Sequence, residues 1–300
     1  MESLTTGIAQ ADVAALIANI DHLPTPPVVF SQINRVLTNP NASVYDVAKI
    51  IAEDAGMSAR VLRMANSAYY SLTQPVASVR QAVVILGLEA VRSLVLSAAV
   101  FEAFTGYQEN PEFQDMFWRH SLATASAARV LFGGKLTDRV ARGGEEGFCA
   151  GLLHDIGKLV MICYMPRLQA GTTGHRLYRV VDDRWVEDDV IGATHAAIGG
   201  YLAERWKLPE VLRVAITHHH DLAVKQPEHG HLTKVIHLAD YLAHWTADLV
   251  PAREKALPII DWDVAAEFGL DEATLPEIGA LVRSEFGRSE TFLEMARQHA

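Results

Sequence analysis

Three hundred residues, half of them hydrophobic and 21% charged, make a globular chain able to bury one large core or two of ordinary size. Acid exceeds base, 36 Asp and Glu against 26 Lys and Arg for a formal net charge of -10, and no Lys/Arg-rich run occurs; the clustered cations of non-specific nucleic-acid binding are therefore missing. The first twenty residues lack the basic opening of a signal peptide, and the longest apolar stretch, Leu94 to Phe101 with only Ser97 interrupting it, is far too short for a bilayer, so a cytoplasmic chain without membrane or nucleic-acid partners is expected.

In chain order, Asp12 to Ile20 places Val13, Leu16, Ile17 and Ile20 on one helical face. Leu23-Pro24-Thr25-Pro26-Pro27 breaks the chain, and Pro27 is placed to open a helix over Val28 to Leu37. After a turn at Asn39-Pro40-Asn41, Ser43 is the expected cap of Val44 to Glu53, and Ser58 that of Ala59 to Ala65. Ser78-Val79-Arg80-Gln81 has the spacing of a capping box, launching Val79 to Leu86; Gly87 stops it and Leu88 to Phe104 follows. The polar stretch Thr105 to Glu112 is the expected boundary between two packed halves. Beyond it the periodicity predicts helices over Phe113 to Phe132, Glu145 to Cys163, Ala193 to Trp206, Pro209 to His219 and Leu232 to Trp245, with two or three short ones after Pro251. Gly171 to Asp189 fits a short strand pair or a loop. Alternating β patterns are nearly absent, so the fold class is all-α: an N-terminal helical subdomain over 1–108, a helical subdomain bearing the chemistry over 109–250, and a helical extension over 251–300. Cys149 and Cys163 lie in apolar helical stretches and read as core thiols.

The chemistry gathers in the second half: His120, the pair His154-Asp155 within His154-Asp155-Ile156-Gly157-Lys158, His195, His219-His220, and Asp240. Each lies in or at the end of an amphipathic helix whose other residues are largely apolar. Imidazole and carboxylate are costly to bury without partners, and a divalent cation compensates several of them at once. One or two ions are expected, with iron or manganese favoured by the His/Asp donor set and zinc a further option. His120, His154, Asp155 and Asp240 are assigned to one ion, and Asp155 bridges to a second held by His195 and His219 or His220. Such a bridged pair polarises a water and clamps a phosphoryl group. Lys158, one turn after His154, is the cation expected to meet a phosphate or nucleotide, with Asp155 and Lys158 as the catalytic pair of an enzyme reading; Gly157 would leave room for a ligand oxygen. Taken singly, a histidine on an apolar helix is more often a satisfied core residue. His218 is read as a solvent-facing neighbour, Asp221 as a helix-end residue, and His22, His175, His229, His231, His237, His244 and His299 as surface or packing residues.

The order of these motifs resembles the HD superfamily of metal-dependent phosphohydrolases, especially the HD-GYP branch that degrades cyclic di-GMP. The first half resembles the HDOD domain, an HD-related output domain of bacterial signalling, through Leu23-Pro24-Thr25-Pro26-Pro27, Ile50-Ile51-Ala52-Glu53-Asp54, Arg63-Met64-Ala65-Asn66-Ser67-Ala68-Tyr69-Tyr70 and the Val79 to Gly87 block. Glu187, Gly192, His195, Ile198-Gly199, Trp206-Lys207-Leu208-Pro209 and Ile216 extend it, so that it spans roughly Asp21 to Trp245. Two departures count against cyclic di-GMP hydrolysis: no Gly-Tyr-Pro follows the paired histidines, and Met116 stands where some HD-GYP relatives carry a carboxylate for a third metal. The resemblance implies a regulatory module with a protein signalling partner. Two other roles stay open, an active phosphohydrolase on a nucleotide or phosphomonoester and a di-iron sensor, because fold does not fix function.

Overall fold

A computed structural model describes residues 28–37, 39, 41–67, 72–104, 111–132, 144–164, 193–222, 230–246 and 257–290, and over these the chain is helical with no strand. The readings made for the helix at Asp12 to Ile20, the Leu-Pro opening, Tyr69, Tyr70, Gly171 to Asp189, His22, His175, His229 and His299 fall outside the described residues.

The first half runs α1 (Val28–Leu37), α2 (Val44–Ala52), α3 (Ala55–Ala65), α4 (Val79–Leu86) and α5 (Leu88–Phe104). Ser43 caps α2 in a reciprocal pair: its hydroxyl accepts from the Asp46 amide and its own amide donates to the Asp46 carboxylate. Two capping expectations change. α3 starts at Ala55 under Asp54, whose carboxylate accepts from the Met57 amide at 2.7 Å, while Ser58 sits inside the helix and donates to the Ile51 carbonyl. Ser78 occupies the cap position of α4 without a side-chain cap bond. Gly87, at φ 80°, ends α4 as expected. Asn66 ends α3 and clamps the next segment, donating to the Val76 carbonyl at 2.8 Å and accepting from its amide at 2.7 Å.

The second half comprises α6 (Pro111–Phe132), α7 (Gly144–Leu153), α8 (Ile156–Tyr164), α9 (His195–Arg205), α10 (Glu210–His218) and α11 (Gly230–Trp245), followed by α12 (Trp262–Glu267) and α13 (Leu275–Ser289). α6, α7 and α11 pack on one another as the central layer; α9 joins α8 to α10, and α13 covers α6. The halves meet where α5 packs on α7, with Ser93 Oγ donating to the Glu145 carbonyl at 3.1 Å and Asn34 Nδ2 to the Lys207 carbonyl at 3.0 Å. Gly151 lets α7 lie directly on α6: a Cβ there would come within 2.6 Å of the Ala125 backbone. Cys149 is buried and Cys163 half-buried, and neither forms a disulfide. Among the described residues no single helix is long and apolar enough to cross a membrane.

One correction bears on the chemistry. The expected continuous helix over Glu145 to Cys163 is two helices, α7 and α8, with His154 and Asp155 in the turn between them. Neither Gly nor Pro marks the break.

Candidate metal centre

The break is held open by the residues that sit in it. The His154 Nδ1 lies 2.8 Å from the Gly151 carbonyl, taking one of the oxygens that a helix end leaves without an amide. His219 repeats the device just past α10, its Nδ1 2.8 Å from the Ile216 carbonyl. A proton on Nδ1 satisfies each carbonyl and leaves Nε2 as the atom turned toward the core, the orientation that a backbone carbonyl gives a metal-binding histidine.

The structure brings together all seven residues expected to ligate, in two clusters that meet at Asp155. In the first, His120 Nε2 lies 3.3 Å from His154 Nε2, 3.4 Å from Asp155 Oδ2 and 3.1 Å from Asp240 Oδ1. His154 Nε2 is 3.3 Å from that same Asp155 oxygen. In the second, His195 Nε2 lies 3.3 Å from His219 Nε2, 3.1 Å from His220 Nε2 and 3.2 Å from Asp155 Oδ1. Except for half-buried His220, all are no more than 4% exposed. Five separate pieces of the chain supply them: α6, the α7–α8 turn, the start of α9, the end of α10 and the middle of α11.

Ring nitrogens and carboxylate oxygens crowd one another in both clusters, an arrangement that burial makes costly unless protons or a cation lie between them. The spacing suits a cation: ligand atoms at about 2.1 Å from a tetrahedral ion stand roughly 3.4 Å apart. The acid–base balance fits too. Burial pushes His219 well down, helped by the neighbouring imidazoles, and burial with His195 takes His220 down to about 3, so both rings are neutral and able to ligate. Burial lowers His120 as well, against the pull of Asp155 and Asp240. Burial works against charge on His154, but the Asp155 and Asp240 carboxylates overrule it and raise the ring to about 10. Burial would likewise raise Asp155, yet His154, Lys158 and His195 hold it well below the usual carboxylate range. The carboxylates favour a proton on His154, so a metal entering the first cluster competes with that proton.

Gly157 and Lys158 lie in the first turn of α8, and the expectation for Gly157 changes. Lys158 meets the oxygen that His154 also faces, Asp155 Oδ2, which lies 3.3 Å from His154 Nε2. It is 2% exposed and donates to Asp155 Oδ2 at 2.7 Å, an i,i+3 pair that balances the carboxylate's charge. Gly157 makes no room for a ligand: a Cβ on it would stand 1.9 Å from the His195 carbonyl and 2.8 Å from the Gly199 amide, so its small size lets α8 touch the start of α9. That contact brings His195 against Asp155. Met116, one turn before His120 on α6, is buried at 4% exposure.

One residue of the site was missed. His244, assigned to surface or packing, is 8% exposed, has Nδ1 3.1 Å from Asp240 Oδ1, and belongs with His120 and Asp240 to a third group able to hold an ion. Its spacing from Asp240, one helical turn, was the available signal. His218 is half-buried rather than solvent-facing, and burial lowers it. His237 is half-buried with its Nδ1 2.9 Å from the His219 carbonyl, and His231 stacks on Phe268, both as packing residues.

Comparison with known proteins places this arrangement. The HDOD domain profile matches residues 23–222. The chain belongs to the HDOD family. A candidate phosphohydrolase from Shewanella amazonensis SB2B is 26% identical, with 96% of this chain covering 98% of that one at a TM-score of 0.66. A candidate signal transduction protein from Marinobacter aquaeolei VT8 superposes at a TM-score of 0.74 and 24% identity, over 96% of this HDOD chain and 66% of the other. An uncharacterized protein of Treponema pallidum (strain Nichols) is 25% identical over 240 residues, 80% of this chain but 45% of its own length. The HDOD chain thus spans less than half of that curated relative.

Proposed function

We propose that this HDOD protein is a bacterial signalling module, acting mainly as a regulatory or adaptor protein toward a protein partner, whose second half holds one or two divalent cations at Asp155. The observation that carries the reading is the division of Asp155 between two imidazole clusters, Oδ2 toward His120 and His154, Oδ1 toward His195. His120, His154 and Asp240 complete one ligand set, His195, His219 and His220 the other. Iron or manganese suits the mixed imidazole and carboxylate donors, with zinc the alternative. Elemental analysis of the whole chain, purified without a metal-affinity tag, tests this. One to two equivalents are expected, and Asp155→Ala loses them because its two oxygens face the two clusters. Unchanged metal content in Asp155→Ala overturns the bridging role.

A second reading, a metal-dependent phosphohydrolase, is favoured by the similarity to the Shewanella candidate phosphohydrolase and by the buried Lys158 at the centre. An ion bound here supplies charge stabilisation for a phosphate or nucleotide, and Lys158 is the proposed cation for the same anion. Calorimetric titration of phosphate into the loaded chain and into Lys158→Met is expected to show weaker binding in the variant at equal metal content. Equal affinities leave Lys158 as the counter-charge of Asp155. Cyclic di-GMP turnover is expected to stay well below ~1 s⁻¹; faster turnover that vanishes in Asp155→Ala makes the protein an enzyme.

A further inference from the structure

Asp240 is the one carboxylate in the first cluster that comes from α11, and a carboxyl group has a broad, roughly two-fold terminal torsion. Something must hold it. Lys158 does this for Asp155. For Asp240 the neighbour is His244, one turn further along the same helix. Its Nδ1 bonds the Asp240 backbone carbonyl at 2.8 Å and stands 3.1 Å from Asp240 Oδ1, near enough to attract that carboxylate oxygen, which has no aligned hydrogen-bond donor of its own. The far side of the ring meets His120 edge-on, with centroids 4.7 Å apart at 69°. His244 is therefore packed against one ligand of α6 and bonded to one ligand of α11.

We infer that His244 is a positioning residue for the first cluster, orienting the Asp240 carboxylate and the His120 ring so that their Oδ1 and Nε2 stand 3.1 Å apart. The inference rests on the metal reading above and deepens it: one cluster has a dedicated orienting imidazole, and its removal acts on that cluster alone. Donors of this kind change metal affinity by about 10- to 100-fold without themselves touching the ion.

The test uses the whole chain stripped with a chelator and titrated with Co2+, followed by its visible absorption. A His219→Ala background disables the second cluster, so the equivalent that remains belongs to the first. His244→Phe keeps the ring packing on His120 and removes the donor; His244→Gln moves the amide to the place of Nε2; His244→Asn returns an amide to the place of Nδ1. The expected result is Co2+ affinity lower by about tenfold or more in the Phe and Gln forms and within about threefold of the parent in the Asn form. Equal affinity in all four chains overturns the inference, as does an Asn form as weak as Phe, since packing alone would then account for the residue. The Gln and Asn forms carry the comparison where Phe does not fold. A chain with native His244 and His219 that takes up no Co2+ removes the metal reading itself and this inference with it, an outcome distinct from equal binding by the variants.

Discussion

Gly157 shows how little of a residue's reason is visible in its identity. Within His154-Asp155-Ile156-Gly157-Lys158 it invites a reading as an opening for a ligand, yet its missing side chain is filled by the His195 carbonyl and the Gly199 amide of α9. Both would-be contacts are backbone, so no side chain can swing aside. Gly157→Ala is expected to destabilise the chain by about 3 kcal/mol, at the upper end of overpacking costs, and to lower metal content by driving His195 from Asp155. Urea denaturation and elemental analysis measure the two effects; a variant as stable as the parent would show that α8 and α9 separate easily. Asn66 is similar: the sequence marks it as a specific feature and assigns it a helix end, which it is, but its two hydrogen bonds to the Val76 backbone, ten residues on, are a fact that a local pattern does not hold.

At the scale of elements, the helices were legible because apolar periodicity reports burial directly. α1, α4 and α5 have the expected bounds, and the later helices differ by a residue or two at their ends. The break between α7 and α8 was not legible, since Leu152, Leu153, Ile156 and Leu159 keep a helical apolar rhythm straight through it. At the end of α7 the His154 imidazole turns back onto the Gly151 carbonyl, a side-chain contact that apolar rhythm does not report. The convergence of the seven ligating candidates was legible for the opposite reason: buried imidazoles and carboxylates on apolar helices leave few physical solutions. α13 illustrates what patterns omit. Arg129 of α6 lies over the Phe148 ring at 3.8 Å, bonds Glu145 of α7 through both carboxylate oxygens, and reaches Glu285 of α13 at 3.1 Å. Its side chain is 10% exposed and that of Glu285 6%. Arg129→Met strands the Glu285 carboxylate beside Arg288 alone and is expected to cost about 3 kcal/mol. Arg129→Met combined with Glu285→Gln should recover part of that loss, and a double-mutant cycle by urea denaturation measures how much. Strict additivity would mean that the pair does not couple.

For the molecule as a whole, the centre ties together helices distant in sequence, so an ion there stabilises the folded chain by binding it and not the unfolded one. At a hundredfold excess over its dissociation constant an ion contributes about 2.7 kcal/mol, which in a chain of this size moves the melting midpoint upward by roughly 5 °C. Scanning calorimetry of chelator-treated and reloaded protein checks this, and identical midpoints would mean that the clusters stand without an ion. The packing of α13 decides how the chain comes apart. A protease that removed it would take away Glu285 and, with Phe286, the ring that Arg119 covers at 5.6 Å, one residue from His120. Arg129 would keep one carboxylate in place of two, facing water where it had been sealed. Digestion should therefore follow an all-or-none course in which intact chain gives way to small peptides, because the nicked body loses the lid over the helix that bears His120 and offers every later cut an easier substrate than the first.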